Sequence, residues 1–120
     1  MGEPRREAFV TEAELELGPS TAPEAVGAAV TAALCGHWQH EGPCRWPNNN
    51  DYEDAGRTIT FRTLFVAPPE EESEIRGRIE RALRQNTAWT VRWLRPRDVA
   101  PTERDLATRL ARTPRRAVGG

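Results

Sequence analysis

Apolar and polar positions alternate along residues 8–17, Ala-Phe-Val-Thr-Glu-Ala-Glu-Leu-Glu-Leu. Phe9, Thr11, Ala13, Leu15 and Leu17 share one side, and Glu12, Glu14 and Glu16 share the other. Period-two alternation predicts a half-buried β-strand, and Gly18-Pro19 ends it. The same rhythm returns over 57–67, with Ile59, Phe61, Thr63 and Phe65 opposed to Thr58, Thr60, Arg62, Leu64 and Val66. It returns again over 88–95, where Trp89, Val91 and Trp93 are expected to face the core and Pro96 to stop the strand.

Between these strands the period changes. Val26, Ala29, Val30, Ala33 and Leu34 recur at helical spacing after Thr21-Ala22-Pro23-Glu24, which reads as a capping box, and before Gly36, a suitable helix stop. The opposite side of this helix, Ala28, Thr31, Ala32 and Cys35, carries no charge, which predicts that something covers it. Pro68-Pro69 opens a second helix with Ile75, Ile79 and Leu83 as its buried stripe. Its acids come first and its arginines later, as the helix dipole favours, and Glu72–Arg76, Glu74–Arg78 and Glu80–Arg84 fall at i,i+4. A short third helix follows Pro101-Thr102, with Thr102 as N-cap and Leu106 and Leu110 as its apolar pair.

Residues 37–56 are broken by Gly42-Pro43, Pro47 and Asn48-Asn49-Asn50. A short edge strand is placed here at 43–47. The Asn/Asp run after it lacks the register of a calcium loop and reads as a solvated turn. The resulting order, β-α-β-β-α-β plus a short C-terminal helix, predicts an α+β, ferredoxin-like antiparallel sheet with two helices on one face. The chain is expected to be a single domain over 1–120, with an ordered core over about 8–112 and a frayed tail over 113–120. In that arrangement the first strand lies between the third and fourth, so its glutamates meet Thr60 and Arg62 on one side and Thr90 and Arg92 on the other.

Composition narrows the class. No apolar run approaches the ~18 residues of a membrane span, and the N-terminus shows no secretory signal. Every one of the 17 basic residues is Arg, a bias read as that of a GC-rich bacterial genome. Acids dominate residues 1–74 and arginines residues 75–120, although the net charge is only −1. The C-terminal arginines can bind phosphate backbone, but no aromatic pair is expected on the open sheet face, where Glu and Thr stand. Nucleic acid is therefore not favoured. Two cysteines without a signal argue for the reducing cytoplasm and against a disulfide.

Candidate chemistry concentrates in ten residues, Cys35 to Cys44, which hold both cysteines and both histidines of the chain. Cys35, His37, His40 and Cys44 have the type and number for tetrahedral Zn²⁺, although C-x-H-x2-H-x3-C packs all four into one loop. Cys44 with His37 or His40 is the better nucleophile–base pair, because Cys35 sits at the negative end of a helix dipole. No orienting acid can be assigned to it. Trp38, Trp46 and Tyr52, with Arg45, Asn48, Asn49 or Asn50 as polar anchors, can line a small-molecule pocket. No Walker, GxGxxG, GxSxG or HExxH motif is present. These residues point to a ligand-binding domain that works through the 35–52 loop, with Zn²⁺ as the expected metal and Trp38, Arg45, Trp46, Asn48 and Tyr52 as ligand contacts. The alternative is an interaction or homodimerisation module that uses the uncharged helix side or a sheet edge, with the loop serving as a lid over the core.

Overall fold

The computed structural model describes residues 5–35 and 46–112. Strand β1 (Glu7–Leu17) leads to helix α1 (Glu24–Cys35), strands β2 (Asn48–Ala55) and β3 (Thr58–Ala67), helix α2 (Glu72–Arg84), strand β4 (Trp89–Arg97) and helix α3 (Arg104–Ala111). Single 3-10 turns, Pro69–Glu71 and Pro101–Glu103, precede α2 and α3. The four strands form one antiparallel sheet in the order β2-β3-β1-β4, so β1 runs between β3 and β4 as expected. The class is α+β, with three helices among the described residues.

One core joins α1 and α2 to one face of the sheet. Val26, Val30 and Leu34 of α1 and Ile75, Ile79 and Leu83 of α2 meet Ala13, Leu15, Ile59, Phe61 and Phe65, all buried. Each fully buried aliphatic or aromatic side chain contributes about 1.5–3 kcal/mol from apolar burial. The i,i+4 pairs foreseen on α2 all form, at 2.7, 3.0 and 2.8 Å. Val10, Leu64 and Val66 belong to the opposite face by alternation and are equally buried. Helix α3 lies against β3 and β1 there. The expected open face is thus half covered, and its charged lattice occupies the remainder.

Four local expectations change. Strand β2 lies at 48–55 rather than 43–47, in the Asn/Asp run read as a turn; residues 43–45 fall outside the described residues. A polar edge strand is stable here because only one of its faces is covered. On that face Asn48, Asn50 and Tyr52 lie toward α1. The hairpin to β3 turns on Gly56-Arg57. Gly56 has φ of 78° and Arg57 keeps a negative φ, the type II′ requirement for Gly in the first position.

Strand β4 continues through Pro96 to Arg97, because an edge strand needs no outward N–H at every position. A bulge also sits at Arg92: Leu15 pairs with Val91, but Glu14 pairs with Trp93. The inserted residue reverses the alternation. Val91 and Leu94 therefore reach the core, and Trp93 moves to the charged face, where the Arg95 guanidinium lies 4.5 Å from its ring centroid. Finally, Thr21 stands three residues before the start of α1 at Glu24, and its hydroxyl bonds away from that helix. Its hydroxyl donates to the Ala88 carbonyl at 3.1 Å, beside the Gly18 N–H at 2.8 Å. A Cβ on Gly18 would stand 2.9 Å from that carbonyl oxygen, so the crossing needs glycine.

Leu15 is fully buried at the centre of this core. Leu15→Ala should cost about 2–5 kcal/mol in urea unfolding, and a loss under about 1 kcal/mol would contradict the packing described.

Candidate binding surface

The expected site residues separate into three groups. His37, Trp38, His40, Cys44 and Arg45 lie outside the described residues. Cys35 ends α1 and is disulfide-bonded; the sequence holds one other cysteine, Cys44. A sulfur so engaged offers no thiolate, so the four-ligand zinc set requires the reduced chain. The disulfide also removes the cysteine-based step toward a reducing compartment. Among the described residues no group of three or more His, Cys, Asp or Glu could hold a metal ion, and no helix is long and apolar enough to cross a membrane.

Trp46 is 2% exposed. Its indole N–H donates to Glu71 Oε1 at 2.7 Å, and the Arg78 guanidinium lies 5.0 Å from its ring centroid. Buried within the core cluster and tied to the turn before α2, it closes the core and does not line an open pocket.

Asn48 and Tyr52 do come together, on the α1-facing side of β2, around a groove of about 340 Å³ that also includes Glu24, Gly27, Ala28 and Phe61. Tyr52 donates its hydroxyl to Glu24 at 2.9 Å. Glu24's own backbone N–H first, and this hydroxyl second, hold its carboxyl below the usual range; the same bond pushes the Tyr52 hydroxyl up. Asn50 pins the strand to the helix. Its Nδ2 donates to Thr31 Oγ1 at 3.1 Å, Asn48 Oδ1 at 3.2 Å and the Gly27 carbonyl at 3.4 Å. Its Oδ1 is buried with no hydrogen-bond partner among the described residues. The uncharged α1 side is therefore covered in part by β2, while Ala28 remains exposed.

A second constellation lies on the opposite face and escaped sequence reasoning. Glu103, in the turn before α3, receives Arg62 Nε at 2.9 Å, Arg97 Nη1 at 2.9 Å and the Ala100 N–H at 3.0 Å. Arg97 also meets Glu12 at 3.3 Å, and Arg95 meets Glu12 at 3.0 Å. The Arg97 hydrogen bond is the largest cause of a Glu103 carboxyl held at about 2, against an opposing push from burial. The signal in the sequence was Glu103 two residues after Pro101, but nothing local pairs it with Arg62. A cleft of about 390 Å³ opens beside this knot. The knot's carboxylates are saturated by its own arginines, so the knot clamps α3 to the sheet.

The third feature is the edge of β2. Ala55 and Thr58 flank a two-residue hairpin loop and form its closing hydrogen-bonded pair, so by alternation Asn48, Asn50, Tyr52 and Asp54 direct their backbone groups away from β3. The Tyr52 N–H is taken by Asp51 Oδ1 at 2.9 Å. Glu53 and Asp54 are exposed and make no ion pair among the described residues.

No protein-family model matches the chain, and neither a curated protein nor a solved structure matches it significantly.

Two outcomes test these assignments. Protein handled without reductant should take up no iodoacetamide, and should take up two equivalents after reduction, as mass spectrometry would show. Modification before reduction, together with stoichiometric zinc, would restore the metal reading. For Glu103, a folded-state value near 2 against the ordinary 4.5 means that its stabilisation is complete above about pH 5 and fades as pH falls through 4.5 toward 2. Glu103→Gln should lose on the order of 2 kcal/mol at pH 7 and flatten the decline of urea stability between about pH 5 and pH 2; an unchanged slope would refute the clamp.

Proposed function

We propose that this chain is a protein-binding module with a ferredoxin-like arrangement, and that it takes up an extended segment of a partner as an added strand beside β2. The contrast between the two sheet edges carries this reading. Strand β4 is blunted by the bulge at Arg92 and by Pro96, two common protections against unwanted pairing. Strand β2 runs eight residues with no proline and an unbroken register, paired on one side only among the described residues. Its outward N–H and C=O groups, apart from the Tyr52 N–H that Asp51 caps, offer a ladder for a further strand, the mode known as β-augmentation. Asn50 and Tyr52 hold the strand against α1, so the ladder is rigid before a partner arrives, and pre-ordering lowers the cost of binding.

A second reading rests on the groove between α1 and β2. At about 340 Å³ it is near the lower limit for small-molecule sites. The buried Asn50 Oδ1, without a partner among the described residues, favours a small polar ligand able to reorient that amide. This reading retains Asn48 and Tyr52 as ligand contacts and needs no metal.

Nitrogen-15 spectra recorded against an array of extended peptides discriminate between the two. Binders should protect and shift the amides of Asn48, Asn50 and Asp54, shift that of Tyr52 as its bond to Asp51 is exchanged, and leave the inward amides of Asp51 and Glu53 protected throughout. If no extended peptide binds, or if every footprint falls on another surface, strand addition at β2 is wrong.

A further inference from the structure

We infer that the segment added to β2 carries two adjacent cationic residues, Arg or Lys, set against Glu53 and Asp54. This inference rests on strand addition at β2 and names the chemistry of its partner. Most carboxylates of the sheet are already committed. Glu12 holds Arg95 and Arg97, Glu14 and Glu16 hold Arg92, and Glu103 holds Arg62 and Arg97. Asp51 lies 3.8 Å from Arg62 and is spent on the Tyr52 N–H. Glu53 and Asp54 differ from these: both are exposed, and neither makes an ion pair among the described residues.

Register fixes where these two carboxylates stand. Glu53 lies opposite Thr60 and shares its side of the sheet, the charged face; Asp54 lies opposite Ile59, on the face that carries the helices. In an added strand, successive side chains also alternate between faces. Two neighbouring residues of the partner therefore stand one on each face, one beside Glu53 and the other beside Asp54. A single cation, or two cations at i and i+2, would satisfy only one of them. Partner residues that run past Tyr52 and Asn50 meet an α1-facing side occupied by those residues' own contacts with the helix, so small or β-branched side chains suit those positions.

The same charges select against a second copy of this chain. A two-fold antiparallel β2–β2 pairing sets Glu53 against Glu53 when centred on Glu53, or Asp51 against Glu53 when centred on Tyr52, and like charges directly opposed are destabilising. The arginine-bearing edge of another copy is β4, whose Arg92 and Arg95 are engaged with β1 and whose ladder is interrupted by the bulge. The edge is thus guarded against its own kind by the feature that admits a basic strand.

The test uses the full chain and three acetylated eight-residue peptides, Thr-Val-Thr-X-X-Val-Thr-Val, with X-X as Arg-Arg, Gln-Gln or Glu-Glu. Affinity is read by calorimetry and position by nitrogen-15 shifts. Exposed ion pairs are individually weak, so Arg-Arg should bind roughly 3- to 20-fold tighter than Gln-Gln at about 50 mM salt, with the gap closing at about 500 mM, and Glu-Glu should bind weakest. The double variant Glu53→Gln/Asp54→Asn should erase the preference and leave the footprint in place. Asp54→Pro removes an outward N–H and should abolish binding of all three peptides; protected Asp51 and Glu53 amides would show that the hairpin survives, and Asn48→Pro provides the same block if it does not. Equal affinity for the three peptides on the β2 footprint would overturn the dibasic partner and leave strand addition standing. Absence of binding, or a footprint on the Glu12–Glu14 face, would overturn both. A mass that doubles with concentration and protects the outward β2 amides without peptide would assign the edge to a second copy and overturn the inference.

Discussion

The structure depends on the two unlike faces of β1. This strand is central, hydrogen-bonded to β3 along one side and to β4 along the other. Ala13, Leu15 and Leu17 on one face are buried in the core, while Glu12, Glu14 and Glu16 on the other would crowd three like charges along a single strand. Neighbouring strands must therefore supply cations at matching heights. Arg92, Arg95 and Arg97 do so from β4. Arg92 is the residue the bulge inserts, and it reaches both Glu14 and Glu16. Beyond the bulge, Trp93, Arg95 and Arg97 fall on the charged face by alternation, while Val91 and Leu94 stay in the core. One inserted residue thus brings β4's cations to the height of β1's acids.

The placement of α3 follows from the same network. Arg97 and Arg62 lie on either side of β1 and both reach Glu103, so the turn before α3 is tied to three strands through charge. The helix then covers Val10, Leu64 and Val66 at the far end of that face. Its other end is held where Arg6 donates to the Ala111 carbonyl at 2.6 Å. A short helix of this kind gains little from its own propensity; its two anchors and its half-buried Leu106 and Leu110 hold it in place. With this face filled by internal pairs and the core face filled by α1 and α2, the β2 edge keeps the outward backbone groups of Asn48, Asn50 and Asp54 and the exposed carboxylates of Glu53 and Asp54.

The elements that were legible in the sequence are those whose pattern answers to one environment. The alternation of β1 and β3, the helical stripes of α1 and α2 and the i,i+4 pairs of α2 are all local, and each appears where its period placed it. Strand β2 was hidden because Asn48–Ala55 has neither alternation nor β-branched residues. It is a strand because β3 offers it a ladder and α1 offers Asn50 and Tyr52 their partners. Of the residues expected at a site, Asn48 and Tyr52 share a groove, whereas Trp46, two positions before Asn48, turns into the core.

The sequence by itself determined the number and type of most elements, the side of each regular strand that faces the core, and the match between acidic β1 and basic β4. These follow from periodicity and charge, which act between near neighbours or along one element. Only the tertiary structure decided that Trp93 leaves the core, that Glu103 joins Arg62 and Arg97, that Cys35 is spent in a disulfide and that β2 is an edge strand among the described residues. Each of those depends on a contact that no local period encodes, or on one inserted residue that reverses a strand's alternation, and neither leaves a local trace.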